Sequence, residues 1–185
     1  MLAYQVSPSA DGEHQTASGQ PAVQLYTPIS KSDLHRLLIA AALSEGETVI
    51  HRCTLSEDIH ATARVLQALG RSVTFGEDCI TVGGKLELDR HVRCCDCGES
   101  GSTLRFLVPV LSLTGQQVEF TGRGRLFQRP MEVYRDIFAA QGLLFSQSEK
   151  GLVIRGRLAP GDYRVRGDVS SQFITGLLYA LPLLH

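Results

Sequence analysis

Three polar clusters each run straight into an apolar stretch of helical spacing: Ser30-Lys31-Ser32 with Arg36, Gly98-Glu99-Ser100-Gly101-Ser102-Thr103 with Arg105, and Asp168-Val169-Ser170-Ser171-Gln172. A helix start carries unpaired backbone N–H groups and the positive end of the helix dipole. Hydroxyls there donate to phosphate or carboxylate oxygens, glycine admits close backbone approach, and arginine offers a planar two-pronged donor. One serine in such a place merely caps its helix. Three coincident starts, two of them with arginine, describe a surface for small anions. A fourth cluster, Gly122-Arg123-Gly124-Arg125-Leu126-Phe127-Gln128-Arg129-Pro130, holds three arginines and no acid, so one of them can clamp a carboxylate or phosphate. Its glycines and the following proline favour a fixed loop, with Arg123 alone read as solvated.

The elements that must carry these clusters recur. The apolar stretches Ser32 to Leu43, Ser102 to Leu113 and Ser171 to Leu184 begin 70 and 69 residues apart, the mark of a repeat. After the first comes a β-type run, Thr48 to Arg52, then a helix from Ser56 to Gly70. There Ile59, Ala63, Leu66 and Leu69 share a face, Glu57 and Asp58 sit in the favourable first turn, and Gly70 suits the C-terminal cap. A hairpin of Ser72 to Phe75 and Cys79 to Val82 follows across Gly76-Glu77-Asp78. The second unit repeats the order: strand Val118 to Thr121, a helix with Pro130 as first residue continuing over Met131 to Gln141, and a hairpin of Leu143 to Ser146 with Leu152 to Arg155. A third starts with strand Tyr163 to Arg166 and the helix from Ser171. Each unit reads as βαβαββ in an α/β protein, with two and a half units present at about 21–84, 89–157 and 161–185 after a lead segment, 1–20. A closing helix as apolar as Phe173, Ile174, Leu177, Leu178, Leu181 and Leu184 needs cover, so the domain is read as incomplete.

Composition narrows the partners. With 18 basic and 19 acidic residues the net charge is -1, which argues against a general nucleic-acid or acidic-membrane binder. A 43% hydrophobic and 20% charged chain is ordinary globular protein. The longest uncharged run, Val169 to Leu184, falls short of the roughly 18 residues that read as membrane-spanning, and no secretory signal opens the chain. A cytoplasmic place is expected. Five cysteines, three bunched as Cys94, Cys95 and Cys97, point to reduced thiols. His91 with these cysteines lacks the second ligand pair of a structural zinc site, so the cluster reads as a strand end with small buried thiols, without metal.

Five motifs in order, Ser30-Lys31-Ser32-x-x-His35-Arg36, Ser56-Glu57-Asp58, Gly98 to Arg105, Gly124-Arg125-x-x-x-Arg129-Pro130 and Asp168-x-Ser170-Ser171-Gln172-Phe173, resemble the N-terminal part of the 5-enolpyruvylshikimate-3-phosphate synthase family over about residues 21 to 185. The resemblance implies an inside-out α/β barrel, with parallel helices inside a ring of sheets, and transfer of the enolpyruvyl group of phosphoenolpyruvate to the 5-hydroxyl of shikimate 3-phosphate without cofactor or metal. It implies that Lys31 is catalytic, touching both substrates and moving a proton. Ser32 and Arg36 would hold the shikimate carboxylate end, Ser170 and Ser171 the 3-phosphate, and Gln172 would stack by the ring near both ligands. Gly101 and Arg125 would meet phosphoenolpyruvate, with Ser102 beside the shikimate site. The partner is then the C-terminal domain of the same enzyme, whose absence leaves this half inactive alone.

Two departures from the family pattern stand out. Its Pro-Gly before Ser-Lys-Ser is Pro28-Ile29 here, and its Asn-Ala-Gly-Thr loop is Glu99-Ser100-Gly101-Ser102, which adds a carboxylate near expected anions. The rival readings are a non-catalytic module that binds shikimate 3-phosphate and a nucleic-acid domain using the Arg123 to Arg129 loop.

Overall fold

The computed structural model describes residues 30–88, 92 and 94–184. The lead segment 1–20, the opening strand expected in unit 21–84, Ile29 and His91 lie outside the described residues.

Side-chain caps start two helices one residue before the expected Ser32 and Ser102, and a third at the expected Ser171. Helix α1 (Lys31–Leu43) is capped by Ser30, α3 (Gly101–Ser112) by Ser100, and α5 (Ser171–Ala180) by Ser170. Each hydroxyl accepts from a backbone N–H of the first turn, at 3.1 Å for Asp33 and Thr103 and 3.3 Å for Gln172. Helix α2 (Glu57–Ala68) is capped in the same way by Ser56.

Strands β1 (Thr48–His51), β2 (Arg71–Phe75) and β3 (Cys79–Gly84) form one antiparallel sheet in the order β1-β3-β2. Strands β4 (Cys94–Asp96), β5 (Gln117–Thr121), β6 (Leu144–Ser148) and β7 (Gly151–Arg155) form the other, ordered β4-β5-β7-β6, with β4 parallel to β5 across α3. The order β5-β7-β6 restates β1-β3-β2. Register places Ile50 opposite Ile80 and Val118 opposite Ile154, so one apolar face of each sheet turns inward.

Helix α1 packs on β1 and β3, α3 packs on β5 and β7, and both meet α5 in the interior. Ten of the twelve residues of α3 are buried, as expected of a helix apolar on every side. Cys95 and Cys97 are buried on β4 and just beyond it, and burial pushes the Cys95 thiol up to about 12 and Cys97 higher still, so neither is a ready thiolate. No helix among the described residues is long and apolar enough to cross a membrane.

Three expectations are corrected. Tyr163 to Arg166 forms no strand, because no described segment pairs with it. Helix α4 (Glu132–Ala140) begins two residues past Pro130: Arg129, held extended at ψ 143° by the proline after it, and Met131, at φ -134°, both lie outside helical geometry. The last helix stops at Ala180 and tightens to a 3₁₀ turn over Leu181–Leu183, where Pro182 lacks the N–H to continue it.

Candidate active site

One direct hydrogen bond joins the starts of α3 and α5, and the start of α1 is linked to α3 through α2. Gln172 of α5 donates its Nε2 to Ser102 Oγ of α3 at 2.8 Å. Lys31 of α1 reaches Asp58 of α2 at 2.7 Å, and Thr103 Oγ1 of α3 lies 3.4 Å from the Asp58 carbonyl. Tyr179 of α5 donates to the Arg36 carbonyl of α1 at 3.0 Å. Arg36 folds back on its own helix, donating to the Ser32 carbonyl at 3.1 Å and to the Ser32 hydroxyl, while its guanidinium lies 5.3 Å from the Phe106 ring centre. Lys31, Ser32 and Ser171 are exposed; Arg36, Ser102, Ser170 and Gln172 are half-buried. The structure thus gathers Lys31, Ser32, Arg36, Gly101, Ser102, Ser170, Ser171 and Gln172 around adjoining helix ends.

Arg125 bonds within its own loop. Its Nε donates to Gln128 Oε1 at 3.2 Å, and with Gln128, Arg129 and Pro130 it lines an opening of about 330 Å³. Arg129, not Arg125, reaches Gly101: a Cβ on Gly101 would overlap the Arg129 guanidinium. The arginine loop is fixed, as its glycines imply. Arg123 N donates to the Gly98 carbonyl at 2.8 Å, Leu126 and Phe127 are buried, and Gln147 donates to the Phe127 carbonyl at 2.8 Å. The Glu99 side chain lies against Gly124, tying the two loops together. A larger groove of about 690 Å³ between α4 and the 162–169 segment contains none of the candidate residues.

Sequence reasoning named three further contributors without finding their partners. Asp58 was visible as a first-turn carboxylate and a motif residue without a partner, yet it holds Lys31. Arg105 was visible as an anion donor of its cluster but without a named partner; its Nη1 donates to Gln172 Oε1 at 3.0 Å. Burial, then the nearby Arg129 charge, lowers the Arg105 pKa, the electrostatic condition that an anion relieves. Arg129 was read with Arg125 as an arginine able to clamp an anion, and its position over Gly101 distinguishes it.

Beneath the helix starts runs a buried polar chain. His35 Nδ1 lies 2.9 Å from Thr62 Oγ1, Thr62 lies 2.7 Å from Thr103 Oγ1, and Thr103 donates to Ser100 Oγ at 2.7 Å, linking α1, α2 and α3. Burial lowers the His35 pKa to about 4; the Asp58 charge opposes this, and Lys31 and Arg36 reinforce it. An unfolded imidazole protonates near pH 6.5, so between that pH and about 4 the unfolded state binds more protons and stability falls as pH drops. The loss over that window is expected to approach about 3 kcal/mol at 1.36 kcal/mol per pKa unit. Urea midpoints for the parent and His35→Gln at pH 7.5 and 4.5 check it: the variant should lose distinctly less. Equal losses would show that other groups govern the acid response.

Residues 20–185 match the model of the EPSP synthase (3-phosphoshikimate 1-carboxyvinyltransferase) family. A 3-phosphoshikimate 1-carboxyvinyltransferase of Clostridium kluyveri is 48% identical over 164 residues, covering 87% of this chain and 38% of that relative. One from Clostridium perfringens strain SM101 is 45% identical over 160 residues, covering 85% and 38%. This chain therefore spans under two fifths of the length of these relatives. A solved EPSP synthase from Acinetobacter baumannii superposes with TM-score 0.70 at 26% identity, over 83% of this chain and 37% of that one. A match that runs through every helix start described above places the chain in the EPSP synthase family.

Proposed function

We propose that this chain supplies one wall of a site in which the enolpyruvyl group of phosphoenolpyruvate passes to the 5-hydroxyl of shikimate 3-phosphate. The bond from the 5-oxygen to C2 of phosphoenolpyruvate forms, the bond from C2 to the phosphate oxygen breaks, and the hydroxyl proton leaves with the phosphate. Lys31 touches both substrates and takes part in the proton transfer, exchanging Asp58 for substrate. Ser32 and Arg36 hold the carboxylate end of shikimate 3-phosphate, Ser170 and Ser171 its phosphate, with Ser102 alongside. Gln172 lies against the ring, and Gly101 and Arg125 meet phosphoenolpyruvate. Both substrates are phosphorylated carboxylates, so helix starts with lysine and arginine meet their charge.

The observation that carries this reading is the 2.8 Å hydrogen bond from Gln172 to Ser102, which joins the second and third helix starts into one cradle. The second wall comes from the C-terminal domain of the same polypeptide, in the cytoplasm. This chain contributes two βαβαββ units, 21–84 and 89–157, and the helix of a third, 161–185, after the lead 1–20, to an inside-out α/β barrel. The matching strand order of the two sheets and the meeting of α1, α3 and α5 between them support that architecture. Exposed Leu178 (63%) and Ile174 (39%) on α5 are an apolar face suited to further chain of the same domain.

Closure of the second wall would exclude water and complete the charges around the reacting atoms. Phosphate release from shikimate 3-phosphate plus phosphoenolpyruvate tests the reading, with this chain alone and combined with the C-terminal remainder. Release is expected only from the combination. Turnover by the 185 residues alone would refute the half-site model. Binding of shikimate 3-phosphate without turnover by the combination would make this a binding module.

A further inference from the structure

We propose that Tyr134 is a positioning residue for Gln172, acting through a backbone carbonyl that Pro109 leaves without a donor. The proposal rests on the reading of Gln172 as a substrate contact. Pro109 lies inside α3, and having no N–H it cannot bond the carbonyl four residues back, that of Arg105. A buried carbonyl in that position requires another donor. The hydroxyl of Tyr134, from α4, stands 2.6 Å from that oxygen, and Tyr134 is fully buried. It also lies 3.0 Å from the Phe173 carbonyl of α5; with a single proton to give, it donates to the nearer oxygen. Its ring meets the Phe173 ring edge-on, with centres 4.9 Å apart. Gly176 lets the α5 backbone come this close, since a Cβ there would overlap both the phenol oxygen and the Arg105 carbonyl. One phenol thereby fixes α3, α4 and α5 against each other at Arg105.

The Arg105 side chain passes the constraint to the site. Its guanidinium donates to Gln172 Oε1 at 3.0 Å and to the Pro130 carbonyl at 3.2 Å, and lies 5.0 Å from the Phe173 ring centre. Guanidinium has donors only, so the Gln172 amide must turn its oxygen to Arg105 and its NH₂ to Ser102, 2.8 Å away. Without the phenol donor, the Arg105 carbonyl would seek another partner and shift the guanidinium that orients this amide.

Tyr134→Phe keeps the ring and removes the donor; Pro109→Ala returns a backbone N–H to the Arg105 carbonyl. In the complete polypeptide, Tyr134→Phe is expected to raise KM for shikimate 3-phosphate about five- to tenfold, the scale of one hydrogen bond, with a smaller change in kcat. It should also move the side-chain amide NMR signals of Gln172. Pro109→Ala alone should leave both near the parent, and Pro109→Ala with Tyr134→Phe should bring both back toward it. An unchanged KM with unmoved Gln172 signals in Tyr134→Phe, or a double variant no closer to the parent than the single, overturns the proposal. Should the parent neither bind nor convert shikimate 3-phosphate, the transferase reading fails, and the Gln172 signals still decide the role of Tyr134. If Tyr134→Phe does not fold, the double variant is compared with Pro109→Ala: matching Gln172 signals support the proposal, and displaced ones overturn it.

Discussion

Replacing Lys31 with methionine in the complete enzyme is expected to lower kcat by about 10²- to 10³-fold, the usual loss when one preorganised charge-stabilising donor is removed. Stability should stay within about 1 kcal/mol of the parent, because exposed ion pairs contribute little. Lys31 is 58% exposed and its ammonium meets Asp58 at the surface. Methionine keeps the length of the side chain and its contact with the helix, so what is lost is the charge. Steady-state kinetics and urea midpoints on the same preparation separate the effects. A parallel fall in turnover and stability would mean that the lysine holds the fold, and the assignment of Lys31 to the reacting atoms would be lost.

Gly176→Ala is expected to destabilise the protein by about 2 kcal/mol or more, a balance of two opposed effects. In an open helix alanine would gain roughly 1 kcal/mol over glycine. Overpacking a tight contact costs about 1 to 3 kcal/mol, occasionally more. Here the added carbon would meet the Arg105 carbonyl and Phe106 Cα, which are backbone of α3, and the hydrogen-bonded Tyr134 hydroxyl, none of which is a flexible side-chain end. Overpacking should therefore prevail at the upper end of its range. Thermal unfolding should show a fall of several degrees, at about 2 to 4 °C per kcal/mol for a chain of this size. A raised melting temperature would show that α3 and α5 are not held this close.

The sequence made most elements legible because their signals are local. Apolar periodicity marks α1 to α5, and turn residues mark the two hairpins β2-β3 and β6-β7. Helix starts slipped by one residue at Lys31 and Gly101, since serines two residues apart are equally good caps by type and only backbone geometry selects Ser30 and Ser100. Tyr163 to Arg166 was read as the opening strand of a third repeat, but a strand exists only where another segment supplies the ladder. Pro130 was well suited to a first helical position, yet Met131 after it remained outside the helix.

Residue type and spacing alone determined which groups can meet an anion, because hydroxyls, glycine, lysine and arginine at helix starts carry that capacity wherever the helices go. Tertiary structure alone decided which of those groups act together. Asp58 lies 27 residues from Lys31, Gln172 lies 70 from Ser102, and Tyr134 lies 29 from the carbonyl it satisfies. Such pairings are produced by the packing of separate helices, α1 with α2, α5 with α3 and α4 with α3, and packing is set by the whole buried surface rather than by any local run of residues.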